Sequence, residues 1–231
     1  MKFITRIFLT GWICAGFAAS SHAGLATFDD LATPPAADSS TGLEFANGGN
    51  LDYQGVTWDS RVTVVGGDYK VDPPSGPAYG IPHSGDYFIT NSGEQANNDG
   101  ILLTTTQVLL SAWFGQNEYY GFGTGATHIT IYALNGSTEL AHVDFDLPAP
   151  SVPGQPGVMG KVDTAIFASL SGITGYRIDR VPTQADFTGN WTADDFLFVS
   201  PVPEPSSVAL LGFGLAALAG SRAWNSARRQ P

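Results

Sequence analysis

Two groups of residues have the types and spacing to do chemistry. The first is a pair of acidic doublets, Asp29-Asp30 and Asp194-Asp195. Between Gly24 and Pro201 the chain holds twenty acidic residues, of which sixteen are Asp. Helical domains favour Glu, whereas Asp belongs in turns, caps and calcium sites. Calcium takes six to eight hard oxygens at about 2.3 to 2.6 Å. Read as the openings of the first and last strand-like segments, the doublets would converge where terminal strands meet. Successive strand residues face opposite ways, so one Asp of each doublet can reach a shared ion. Asp30 and Asp195 are the candidates for a structural calcium site. The alternative is that these are turn and edge-strand aspartates kept outside for solubility.

The second group is aromatic. Trp113, Tyr119, Tyr120 and Phe122 surround a Gly-rich loop and could stack on sugar rings, with Asn117 and Glu118 supplying hydrogen bonds. Trp113, Asn117, Glu118, Tyr119 and Tyr120 therefore form a candidate glycan-binding set. In the alternative, Trp113-Phe114 lies in a strand with one ring in the core, and the tyrosines cap the sheet edge. Catalytic signatures are missing. The sequence holds no His-Glu-x-x-His and no Gly-x-Ser-x-Gly, and His83, His128 and His142 fall in different segments. Gly121 to Gly125 is spaced like a nucleotide loop but no helix follows it, so a hairpin is expected there. A glycosidase needs two carboxyls about 5 to 9.5 Å apart, and nothing singles out such a pair. The expectation is a non-enzyme, with a polysaccharide hydrolase as an alternative.

The elements that must position these residues read as strands. Short runs rich in β-branched and aromatic residues alternate with Gly, Pro, Asn and Asp, without a convincing helical period. Strands are predicted at Ala26 to Leu31, Asp52 to Trp58, Arg61 to Val65, Asp86 to Thr90, Ile101 to Thr105 and Gln107 to Phe114. Others follow at Thr127 to Leu134, Glu139 to Phe145, Lys161 to Ala168, Ile173 to Arg180 and Asp195 to Val199. Asn135-Gly136 signals a hairpin, with Ile129, Ile131 and Ala133 facing Ala141, Val143 and Phe145 on its dry side. The fold class is all-β, an antiparallel β-sandwich formed by residues 24–201. That span has five basic residues against its twenty acids, a formal charge of −15. Such a field repels phosphate backbones and argues against nucleic acid as a partner.

The two ends are addresses. Residues 1–23 form a signal peptide: Lys2 and Arg6, an apolar run, then Ser21-His22-Ala23 for signal peptidase. Cys14, the only cysteine, leaves with it, so the exported part has no disulfide. Residues 202–231 read as a tail of Val202-Pro203-Glu204-Pro205, an apolar run from Val208 to Gly220, and Arg222, Arg228 and Arg229. Ser206 to Ser221 covers about 24 Å as a helix, short of the roughly 30 Å hydrocarbon core. A single transmembrane helix is still expected, with Arg222 snorkelling and the arginines on the cytoplasmic side.

This tail resembles the PEP-CTERM sorting signal in its three parts and their order. The resemblance implies recognition of Pro203, Glu204 and Pro205 by an exosortase, a membrane-embedded protease. It also implies an inner-membrane-anchored precursor that passes to the surface of a Gram-negative, exopolysaccharide-making cell. The exported part is similar to jelly-roll domains in Thr27-Phe28-Asp29-Asp30-Leu31, Gly172 to Ile178, and Ala193 to Phe198. Carbohydrate-binding folds of that type hold calcium where terminal strands meet. The expected function is a non-catalytic envelope or extracellular-matrix protein. The alternative is a carbohydrate-binding module for exopolysaccharide.

Overall fold

Where turn residues punctuate the β-branched and aromatic runs, the runs become strands. In chain order these are β1 (Ala23–Ala26), β2 (Leu43–Glu44), β3 (Leu51–Tyr53), β4 (Val56–Trp58), β5 (Thr63–Gly66), β6 (Tyr87–Thr90) and β7 (Ile101–Thr104). They continue with β8 (Val108–Gln116), β9 (His128–Asn135), β10 (Thr138–Asp146), β11 (Gly160–Asp163), β12 (Gly175–Val181) and β13 (Trp191–Val199). The structure is a computed structural model that describes residues 23–31, 43–44, 50–66, 80–91, 100–117, 125–150, 157–181 and 189–201. These lie within one compact unit, His22–Pro201. Among the described residues no helix is long and apolar enough to cross a membrane. The predicted tail helix and nearly all of the predicted signal peptide lie outside the described residues.

Among the described residues all pairings are antiparallel, in two sheets. The first has the order β11-β8-β13-β6-β5-β2, with β1 also on β13. Because β8 runs along one side of β13, β6 and β1 share its other side, β6 at Thr192 and Ala193 and β1 from Phe196 to Val199. The second sheet has the order β10-β9-β12-β7-β4-β3. Their inner faces share a single core. Trp58 of the second sheet meets Phe196 of the first at 5.0 Å in an edge-to-face contact, and Phe196 meets Phe114 at 5.6 Å. Tyr176 is fully buried, yet its hydroxyl accepts from Leu109 N–H and donates to Gln107 O. Burial pushes that phenol up to about 12. The tyrosine thus ties the sheets together without an unpaired polar group.

Most predicted strands shift by one or two residues at an end, and four differ by more. The Asp52 to Trp58 run is a hairpin, because Gln54 and Gly55 both take positive φ (53° and 73°), as a two-residue type I′ turn requires. The Lys161 to Ala168 run stops at Asp163, whose carboxylate accepts from Ala165 N–H. A 3-10 turn, Ala165–Ser169, then drives Phe167 into the core. The first strand ends at Ala26 instead of beginning there, and the last begins at Trp191, four residues before Asp195. The acidic doublets consequently do not open strands. Asp29-Asp30 lies in the turn after β1, and Asp194-Asp195 lies in the middle of β13. The β9–β10 hairpin has the predicted dry face, with Ile131 opposite Val143 and Ile129 opposite Phe145. Its two-residue turn is Gly136-Ser137, one residue later than the Asn-Gly signal, with Gly136 at φ 59°.

Candidate functional site

In β13, Asp194 is opposite Trp113 and Leu197 is opposite Ser111. Three steps on β13 thus match two on β8, which is a β-bulge. Asp195 occupies the extra position at φ 50°, a left-handed conformation that Asp tolerates better than most residues. The bulge breaks the alternation expected of a regular strand. Ala193 and Phe196 face the core, while the carboxylates of both Asp194 and Asp195 reach the segment 83–84 lying against the sheet's outer face.

The hydrogen bonds described for that segment go to carboxylates. Asp194 Oδ2 accepts from the backbone N–H groups of His83 (2.9 Å) and Ser84 (3.0 Å), and its Oδ1 accepts from Asp195 N–H (2.7 Å). Asp195 Oδ1 accepts from Ser84 Oγ at 2.8 Å and Oδ2 from His83 Nδ1 at 2.5 Å. Since an ionised carboxylate only accepts, Nδ1 is the protonated ring nitrogen. The His83 ring lies on Trp113 at 3.5 Å, nearly parallel. From the other end of the domain, Asp29 Oδ1 accepts from Asp86 and Tyr87 N–H at 2.7 and 3.0 Å. Four backbone donors, three in the irregular stretch before β6 and one at its first residue, are taken up by two aspartates from distant parts of the chain.

Asp194 is completely buried. Burial pushes its carboxyl up to about 7, and the neighbouring Asp195 charge adds to the rise, against the lowering effect of the three N–H donors. Asp30 has other partners, accepting from the Tyr53 hydroxyl and from Gln54 Nε2. Burial, followed by the Asp30 hydrogen bond and charge, lifts the Tyr53 phenol to about 12. Asp30 and Asp195, the calcium candidates, therefore each bond to protein donors on different segments. Among the described residues no three His, Cys, Asp or Glu side chains converge as a metal centre. Ser84 and His83 do not form a nucleophile and base. Asp195 bridges the two, whereas a triad needs the imidazole in the middle.

The candidate glycan set is divided. Trp113 is half-buried, packed against Val65, Phe88 and Met159, with one ring face under His83. Phe114, its neighbour, is in the core. Asn117 is completely buried, its Nδ2 bonded to Thr90 Oγ1 at 2.9 Å. Glu118, Tyr119 and Tyr120 lie outside the described residues, as do Pro203, Glu204, Pro205 and the tail arginines. His83 and Ser84 were not singled out in the sequence. The available signal was a polar Ser-Gly-Asp turn after Pro82, matched to unexplained acidic doublets.

Residues 201–223 match the PEP-CTERM protein-sorting motif. This chain carries a PEP-CTERM sorting signal. The signal marks an exported protein sorted by an exosortase, made as a membrane-anchored precursor in Gram-negative bacteria. The exported part of this PEP-CTERM protein is similar in fold to a DUF4465 family protein from Bacteroides caccae ATCC 43185. The TM-score is 0.50 and the identity 8%, over 78% of this chain and 99% of that one. At that identity the likeness concerns the fold alone. No curated protein matches the chain. The last strand, β13, ends at Val199, just before the PEP-CTERM motif begins.

Proposed function

We propose that the chain is a non-catalytic cell-envelope or extracellular-matrix protein. Its jelly-roll-like sandwich passes to the cell surface once signal peptidase has removed residues 1–23 and an exosortase has cut at Pro203-Glu204-Pro205. The observation that carries this reading is the sorting motif at residues 201–223. It begins after the last described strand, and that strand is already paired on both sides, by β8 and by β1 and β6. Removing the tail therefore takes no strand pairing from β13. The Asp194 carboxylate bonds the backbone N–H groups of His83 and Ser84, and the Asp195 carboxylate bonds their side chains, which supports a structural role for both.

The test is intact-mass analysis of the surface-associated protein from a host with the sorting protease. The expected product lacks Arg222, Arg228 and Arg229, and Glu204→Ala leaves full-length precursor in the inner membrane. Recovery of the tail arginines in the surface form of the wild type would overturn the reading.

A further inference from the structure

The outer face of the second sheet carries a cluster that neither the sorting signal nor the carboxylate-held segment uses. On β9 and β10, His128 is opposite Asp146, Thr130 opposite Asp144, and Tyr132 opposite His142. Each imidazole is held at Nδ1 by a carboxylate: His128 by Asp146 Oδ1 at 2.8 Å, His142 by Glu139 Oε1 at 2.7 Å. A carboxylate accepts and cannot donate, so in the neutral ring Nδ1 carries the proton and Nε2 the lone pair. Both Nε2 atoms turn toward one side chain. His128 Nε2 is 3.4 Å from Asp144 Oδ1 and His142 Nε2 is 3.7 Å from Asp144 Oδ2. Thr130 Oγ1 donates to Oδ1 at 2.7 Å and orients that carboxylate.

An imidazole whose Nδ1–H is fixed by a carboxylate, leaving Nε2 outward, is the arrangement of metal-ligating histidines. The two separations are also close to the roughly 3.3 Å between neighbouring ligand atoms around a tetrahedral ion with bonds of about 2.0 to 2.1 Å. As the side chains stand, His128 and His142 lie on different oxygens of Asp144, so three ligands do not yet share one point. The His142 and Asp144 side chains are 49% and 56% exposed, so rotation meets little packing. Glu139, Asp144 and Asp146 give the hairpin face a negative field that concentrates cations.

We propose that His128, His142 and Asp144 bind a divalent transition-metal ion of the zinc class, with the ion itself drawing the two imidazoles onto Asp144. Asp146 and Glu139 orient the rings. Imidazole with carboxylate and no thiolate suits zinc, copper or nickel, and not calcium. The proposal does not depend on the sorting route. It is tested by titrating the full-length chain in detergent with zinc alone, by calorimetry, and with cobalt, by visible absorption. One saturable site is expected, weakened about tenfold or more by the double variant His128→Gln/His142→Gln and by Asp144→Asn. His83→Gln serves as the control and should leave the affinity unchanged. These positions are on the outer face, and an unaltered circular dichroism spectrum verifies that the variants are folded. No saturable uptake by the wild type, the same affinity in the double variant, or loss of binding in His83→Gln would each overturn the proposal.

Discussion

Asp194 is an acid kept at a position where its ionised form is disfavoured. Its carboxyl is raised from 3.8 to about 7 by burial and by the Asp195 charge. The native state therefore holds a proton that the unfolded chain releases across that window. Stability contributed by Asp194 is present below 3.8 and is lost as pH rises toward 7. The expected loss for this group is on the order of a few kcal/mol. His128 acts in the same direction at higher pH. Its imidazole is raised by the Asp146 hydrogen bond, so that contribution is lost as pH rises above the ordinary imidazole range. Denaturant melts of the wild type between about pH 4.5 and 7.5 should show falling stability. Asp194→Asn, which cannot ionise, should flatten that slope even if its absolute stability is lower. An equal slope in both proteins would mean that Asp194 is ionised throughout.

The bulge in β13 and the segment it grips form one element. Gly85 lies between the two carboxylate grips at φ 53°, and a methyl added there would land on the Asp29 carboxylate. Both the left-handed backbone and the clash oppose any side chain, and Asp29 cannot withdraw without releasing the N–H groups of Asp86 and Tyr87. Gly85→Ala is expected to destabilise the domain by about 2 kcal/mol or more, read as a lowered denaturant midpoint with unchanged slope. A change within experimental error would show that the segment contributes little to the fold. The hairpin turn at Gly136 is a useful contrast. Its φ is also positive, but a Cβ there meets nothing within 4 Å, so a substitution meets backbone strain alone.

At the scale of the whole molecule, the two sheets are joined through aromatic side chains that cross the core. Phe196 contacts Phe28, Trp58, Phe114 and Phe198. It immediately follows the bulge, so the same local irregularity that turns both aspartates outward returns this ring to the core. Phe196→Ala removes a fully buried ring from the junction and should cost about 3 to 5 kcal/mol. A chemical-denaturation curve of the purified chain checks this, and a cost below about 1 kcal/mol would place the energetic centre of the core elsewhere.

The sequence by itself determined the all-β class, the dry face of the β9–β10 hairpin and the sorting motif, because each is written in local order. Alternation with period 2, a glycine at a turn, and a proline–glutamate–proline stretch before an apolar run need no distant partner to be recognised. It also picked out the acidic doublets as unusual. Their use was decided only by the tertiary structure. The extra residue in β13 is visible only against β8, and it cancels the alternation on which a choice between Asp194 and Asp195 depended. The hydrogen bonds from residues 83–87 to Asp29, Asp194 and Asp195 span separations of 57 to 112 residues. No local pattern encodes such a pairing, since a carboxylate reads the same in sequence whether it will face a cation, water or a set of backbone N–H groups. What distinguishes these outcomes is which donors the fold brings within about 3 Å and how much water it excludes.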